Sequence, residues 1–393
     1  MKPKLPIGVR IITERLEKNG KCAHIVGGCV RDFLLSKTPC DYDITTDALP
    51  EEMKEIFSDF KTVETGIKHG TLTVLSQGEP YEVTTYRVDG EYEDHRHPTS
   101  VTFTDKLSLD LSRRDFTVNA IAYSERDGFV DMFSGLEDLG KKLIRAVGEP
   151  QKRFDEDALR ILRAIRFASV LDFKIEENTA KSAIEMAHLL SSVSAERIYT
   201  EWKKLLSGIA SYEVISEYGE IISVFLFSEP IILPSKDLFL SLSPEARQLS
   251  LFALSVKFPH ERFADFCDRM KTDAKTKRLG TLALENLSEN LSDEESARLL
   301  IIRIGGDAVK LLSEIKRAMG EAAVEDIDGI INSGYPFSVS DLAVGGEDMK
   351  AMGFFGREIG SVLDSLLKMT ATDKIKNERE ALLKAAEKIK NGI

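Results

Sequence analysis

The sequence predicts an α+β head followed by an all-α remainder, and three observations carry that prediction. Up to about residue 145, short runs rich in β-branched and aromatic residues alternate with short helical stretches. From Pro150 onward, apolar residues recur at helical spacing almost to the end. Proline and glycine punctuate that helical part near 229–234, 258–260 and 333–336, with no tandem repeat and no low-complexity tract.

In chain order, the opening MKPKLPIGVRIITERLEKNG alternates charged and apolar residues at helical spacing, which predicts a helix and no secretory signal. Strands are expected at Ala23–Gly27, Asp41–Thr45, Thr71–Ser76, Tyr81–Arg87 and Phe129–Phe133. Short helices are expected at Val30–Leu35 and at Glu51–Asp59, the second entered through Pro50. The run KRFDEDALRILRAIRFASVL reads as one long helix with Phe154, Leu159, Ile161, Leu162, Ile165 and Phe167 as its apolar positions.

The chain has 393 residues, 42% apolar and 30% charged, which is globular in character and long enough for two or more cores. No apolar run approaches the roughly 18 residues of a membrane span. The four cysteines, Cys22, Cys29, Cys40 and Cys267, form no C-x-x-C pair, so neither a zinc site nor a disulfide framework is expected, and a reducing cytoplasm is. The net charge of −12 argues against a nonspecific nucleic-acid coat, although Lys141 to Arg166 reverses that acidic bias locally. The six histidines are scattered; His24 and His69 read as structural, and His95 and His97 lie in a charged loop.

The chemistry concentrates in IVGGCVRDFLLSKTPCDYDITTDALP. Asp41 and Asp43, two apart on an expected strand, would point to one face. Two like charges side by side destabilise each other unless something positive sits between them. Hard carboxylate oxygens suit Mg²⁺, and two such ions about 4 Å apart can activate an attacking oxygen and neutralise a leaving one. Gly27 and Gly28 permit close approach of backbone to phosphate at a helix start, and Arg31 adds a guanidinium fork. Glu82, in YEVTTYR, is either a solvent-facing edge residue or a third carboxylate of the same cluster; its spacing does not decide between them.

The motifs GGCVRD (27–32), DYD (41–43), RRDFTVNA (113–120), RFDEDALRILRAIRF (153–167) and ERIYTEW (196–202) occur in an order that resembles the bacterial class II CCA-adding enzymes, or tRNA nucleotidyltransferases, and the related bacterial poly(A) polymerases. A weaker likeness continues in SVSDLAVGGEDMKAMG (338–353). The resemblance implies a nucleotidyltransferase head of the DNA-polymerase-β type over 1–147, a helical neck for base recognition over 148–207, a helical body over 208–334 and a helical tail that binds tRNA over 335–393. It implies Asp41 and Asp43 as metal ligands with Glu82 as the third carboxylate. It implies Gly27, Gly28 and Arg31 on the triphosphate, and Arg114, Asp115 and Asn119 on phosphate and sugar. Ser36, Glu149 and the pair Arg96-His97 depart from the family pattern.

Asp157 and Arg160 are three apart on the expected helix and project from one face. A carboxylate accepts from the exocyclic amine that adenine and cytosine both carry, and a guanidinium donates to their ring acceptors. Guanine and uracil invert that pattern, so a wrong base would leave buried charged groups unpaired. The pair therefore either reads A or C and rejects G and U, or is an ordinary ion pair on a solvated helix face; the family resemblance supplies the first assignment. The charged stretch Val88 to Thr99 matches the family's flexible loop, whose presence favours completion with A.

The expected reaction is attack of a tRNA 3′-hydroxyl on the α-phosphate of CTP or ATP with loss of pyrophosphate, in a cytoplasmic enzyme that needs no membrane and implies no protein partner. The acceptor end and T arm would be gripped by backbone and shape, with Lys141, Lys142, Arg145, Lys152, Arg153, Arg163 and Arg166 as basic candidates. The alternatives are a poly(A) polymerase, a CC-only or A-only tRNA nucleotidyltransferase and, from another class, an inactive RNA-binding relative.

Overall fold

The computed structural model describes residues 3–90 and 100–391. The chain divides into two compact units, Met1–Phe227 and Ser228–Ile393.

The first unit opens with α1 (Ile7–Lys18), which buries Val9, Ile12 and Leu16 at helical spacing. There follow β1 (Ala23–Val26), α2 (Gly28–Leu34), β2 (Asp43–Thr46) and α3 (Pro50–Ile56). Helix α3 starts where its pattern predicts: Pro50 needs no N–H there, and the Glu52 carboxylate accepts from the Leu49 N–H. Strands β3 (Lys61–Val63), β4 (Thr71–Ser76) and β5 (Glu79–Thr85) come next, then the hairpin β6 (Arg87–Asp89) and β7 (Val101–Phe103). Helix α4 (Leu107–Ser112), β8 (Ile121–Ser124), β9 (Gly128–Asp131) and α5 (Gly135–Gly140) complete the head.

The main sheet has seven strands in the order β3-β4-β5-β2-β1-β8-β9. Only β2 and β5 run parallel; the other neighbours are antiparallel, so the sheet is mixed as expected. The parallel pair aligns Asp43 with Glu82, which the register of no single strand reveals. Strand β8, with all four residues buried, shows no alternation and is absent from the expected strands. Strand β2 begins at Asp43 rather than Asp41, so Asp41 lies on the preceding loop.

The expected long helix is broken. Helix α6 spans Pro150–Glu156 and α7 spans Leu159–Leu171, with Asp157 extended between them at φ −141° and ψ 101°. The Asp157 side chain accepts from the Leu159 N–H, a local bond that competes with the helix ladder. The apolar spacing survives the break: all six predicted core positions, from Phe154 to Phe167, are buried. A short parallel pair, β10 (Leu143–Ile144) with β11 (Lys174–Ile175), sits beside α7. Helix α8 (Glu177–Glu185) is capped by Glu176, and α9 (Ala195–Leu206) buries Trp202 edge-on against Phe225 at 5.6 Å.

The second unit is helical. Helices at Pro244–Ser255 and Pro259–Met270 meet through Phe252, Phe263 and Phe266. Toward the C-terminus, Leu342, Met349, Phe354, Leu366 and Leu382 anchor a separate apolar cluster. Among the described residues no helix is long and apolar enough to cross a membrane.

Candidate active site

Three motifs far apart in sequence meet at Gly27. This glycine follows β1 with φ +82°, a conformation unfavourable for any residue with a Cβ. A Cβ built there would lie 3.0 Å from Arg114 Nη1 and 3.9 Å from both Asp43 Oδ2 and the Asn119 carbonyl oxygen. The glycine pair, the Asp-Tyr-Asp segment and the RRDFTVNA segment thus share one corner. Helix α2 has only seven residues, so backbone access and the arginines, rather than a helix dipole, make this corner suited to anions.

Asp43 and Glu82 stand side by side on β2 and β5. Asp43 is exposed, with Oδ2 on the side of Gly27, and partial loss of water around the carboxyl pushes its pKa up; Arg114 opposes the rise, and Asp41 and Glu82 add to it. Asp41 therefore acts on Asp43 from the loop, although not by the shared strand face expected for it. A cavity of about 210 Å³ opens between Asp43, Glu82, Arg87, Arg113 and Arg114. Among the described residues, no three His, Cys, Asp or Glu side chains close into a metal-holding group.

Sequence reading missed Asp110, which is fully buried beneath this corner. It accepts from Arg113 Nε and Nη2 at 3.1 and 2.7 Å, lies 3.5 Å from Arg114 Nη2, and accepts from the Arg87 N–H and the Thr45 hydroxyl at 3.4 Å. The signal is present: Asp110 on α4 precedes Arg113, the C-terminal cap, and Arg114, just past it, by three and four residues, the spacing of helical ion pairs.

Arg31, Asp115 and Asn119 belong to a chain of side chains that leads to α7 and α9. Arg31 donates to Asp32 at 2.7 and 2.8 Å and to Asn119 Oδ1 at 2.7 Å. Asn119 donates to Asp115 Oδ1 at 3.0 Å, and Arg163 donates to Asp115 Oδ2 at 2.5 and 2.9 Å. Burial alone would raise the Asp115 pKa, but Arg163 and the Asn119 bond outweigh it and hold the carboxyl well below the usual range. Glu201 on α9 closes the chain, accepting from Arg166 Nε at 2.7 Å and lying 3.9 Å from Arg163. The Phe167 ring lies within 5.0 Å of the Arg31 guanidinium, 5.3 Å of Arg163 and 3.4 Å of Arg166. Replacing Glu201 by Gln leaves two guanidinium groups around a neutral partner; a loss of about 3 kcal/mol in unfolding free energy is expected by urea titration.

Asp157 and Arg160 are not paired on one helical face. Arg160 is buried and donates to Glu156 at 2.7 Å, to the Arg153 carbonyl at 3.1 Å and to the Arg113 carbonyl at 2.9 Å. Asp157 is held instead by Arg197 at 2.9 Å. A second cavity, of about 650 Å³, lies between Asp89, Arg113, Lys152, Arg153 and Glu156, so Arg113 borders both spaces.

The basic candidates divide. Arg153, Arg163 and Arg166 are internal ion pairs with Glu156, Asp115 and Glu201. Lys141, Lys142 and Lys152 are exposed, and Arg145 pairs with Asp138. His24 is buried between the Tyr86 hydroxyl at 2.9 Å and Asp127 at 3.1 Å, a structural place in which burial pushes its pKa down. His69 is exposed. Of the charged loop Val88 to Thr99, residues 91–99, with His95 and Arg96-His97, lie outside the described residues.

Three family profiles match this chain in order. The poly A polymerase head domain covers residues 23–145. A probable RNA and SrmB-binding site of polymerase A covers 172–217, and a putative tRNA nucleotidyltransferase domain 2 covers 240–386. A CCA-adding enzyme of Pediococcus pentosaceus is 37% identical, over 97% of this chain and 97% of its own length. The structure of the Bacillus stearothermophilus CCA-adding enzyme in complex with CTP superposes with a TM-score of 0.78 at 30% identity, covering 100% of this chain and 99% of that one. The Thermotoga maritima CCA-adding enzyme complexed with tRNA shares the fold, with a TM-score of 0.68 at 21% identity over 97% of this chain and 94% of that one.

Proposed function

Since the chain belongs to the family of CCA-adding enzymes, we propose that it adds C, C and A to the 3′ end of tRNA from CTP and ATP, releasing pyrophosphate and using no nucleic-acid template. The observation that carries this reading is the meeting of Asp43, Arg114 and Asn119 at Gly27, in a chain that aligns with CCA-adding enzymes along nearly its whole length.

The triphosphate lies against the Gly27–Gly28 backbone, with Arg114 and Arg31 as its cationic neighbours. Asp110 holds Arg113 and Arg114 from beneath, and Asp115 and Asn119 keep Arg31 in place. The 3′-oxygen of the acceptor attacks the α-phosphorus; the bond from that phosphorus to the bridging oxygen breaks, and the electron pair leaves with pyrophosphate. Glu82, exposed beside Asp43, orients the attacking hydroxyl or takes its proton.

Enzymes of this family use divalent metal ions, and we assign Mg²⁺. The residues fit such an ion chemically: Asp41 and Asp43, with Glu82 adjacent, are hard oxygen donors whose mutual repulsion a cation relieves. When bound, Mg²⁺ lowers the pKa of the attacking hydroxyl and neutralises charge on the leaving phosphates.

Base choice falls to Asp157 and Arg160 in the neck, residues 148–207. Body and tail, 208–334 and 335–393, grip the acceptor end and T arm, and of the basic candidates Lys141, Lys142 and Lys152 are the exposed ones. The reading places the enzyme in the cytoplasm. Incubating a tRNA that lacks its 3′ end with each NTP alone and with CTP plus ATP, then sequencing the products, tests the proposal. CCA ends are expected. A run of A would identify a poly(A) polymerase, and arrest after CC or addition of A alone would identify a divided activity.

A further inference from the structure

We infer that Arg197, on the first turn of α9, is a positioning residue for base selection: it aims the Asp157 carboxylate. The inference rests on the reading of Asp157 as the acceptor for the base's exocyclic amine. Asp157 stands on extended backbone between α6 and α7, where its N–H donates to the Arg153 carbonyl at 3.4 Å and its carbonyl accepts from the Arg160 N–H at 2.9 Å; these bonds fix the backbone and leave the carboxylate to its side-chain partners. Its Oδ1 accepts from the Leu159 N–H at 3.2 Å. Among the described residues its other side-chain hydrogen-bond partner is Arg197, whose Nη2 donates to Oδ1 at 3.2 Å and to Oδ2 at 2.9 Å, while the Arg163 charge acts on it without a hydrogen bond.

The mode of this contact distinguishes it from a self-contained salt bridge. A fork-on-fork pair uses two guanidinium nitrogens for two carboxylate oxygens. Here one nitrogen serves both oxygens, and Arg197 Nη1 is buried with no hydrogen-bond partner among the described residues. Buried polar groups without partners are uncommon and call for an explanation. The single-nitrogen contact leaves Asp157 lone pairs to accept from an incoming amine.

The platform behind Arg197 is firm. Five residues on, Trp202 is fully buried against Phe225, and Glu201 accepts from the buried Arg166. Arg160, by contrast, is fixed from the other side by Glu156 and by the Arg113 carbonyl. The two base-reading groups are therefore set by separate partners. An acceptor fixed by Arg197 meets an amine favourably and a carbonyl unfavourably. An acceptor free to rotate away penalises neither.

The test uses the full chain with a tRNA lacking its 3′ end and each of the four NTPs. Arg197→Met is expected to raise KM for CTP and ATP about tenfold with a smaller change in kcat, and to raise incorporation of U and G relative to C by about tenfold. Arg197→Lys, which keeps the charge without the fork, is expected to fall between. A merely structural tie from α9 would alter stability and leave the discrimination ratio unchanged. Asp157→Ala separates the two readings. If it leaves discrimination intact, base reading by Asp157 fails, and the role of Arg197 with it. If Asp157→Ala loses discrimination while Arg197→Lys and any folded Arg197→Met keep it at the wild-type value, only the role of Arg197 is overturned.

Discussion

Asp43→Asn is expected to lower CTP and ATP addition by roughly 10³-fold while leaving the chain folded. Asp43 is the carboxylate whose oxygen lies nearest the Gly27 corner, opposite Arg114 and beside Glu82. Its surroundings raise its pKa, so ionisation is less favourable in the fold than in the unfolded chain. The sign follows: a group whose folded pKa lies above its unfolded value adds stability below the unfolded pKa and loses it as pH rises through the folded value. At neutral pH the charge of Asp43 therefore works against the fold, and Asn removes that penalty. The variant's Tm without metal should be equal to or above that of the wild type. Mg²⁺ should raise the Tm of the wild type and not that of the variant. A variant with wild-type turnover would remove Asp43 from the active site.

Asp110→Ala is expected to cost about 3–5 kcal/mol of folding stability, because it strands Arg113 and Arg114 around an emptied buried position. Urea unfolding measures this directly. Burial would raise the Asp110 pKa, but Arg113 and Arg114 outweigh it and the net direction is down. Its stabilising contribution is therefore present above the ordinary aspartate range and is lost as pH falls through the folded-state value. The wild type should show this loss on acidification and the variant should not. Where Asp110→Asn folds, KM for CTP and for ATP should rise together, because Arg113 and Arg114 face the cavity without reading a base. A change confined to one nucleotide would contradict that assignment.

Local signals were legible wherever a short stretch dictates its own geometry. The glycine pair, the strand Thr71–Ser76, the Pro50 helix start and the apolar stripe from Phe154 to Phe167 all rest on steric and periodic rules acting over a few residues. Reading failed where a longer-range bond or a local side-chain bond overrode periodicity. The Asp157 break follows from its own side chain capping Leu159, a competition that apolar spacing does not register. The helical spacing of Asp110 to two arginines is plain in the sequence, but only burial turns such a pair from a surface ion pair into an anchor.

From the order of residues alone came the α+β head, the helical remainder, the nucleotidyltransferase family and the short motifs of the site. Which charges face which was settled only in three dimensions. Asp43 meets Glu82 through a parallel register, Arg31 meets Asn119 across 88 positions, and Asp157 meets Arg197 across 40. The reason is physical: backbone preferences act between neighbours, whereas an ion pair is chosen by proximity and desolvation after distant segments have packed.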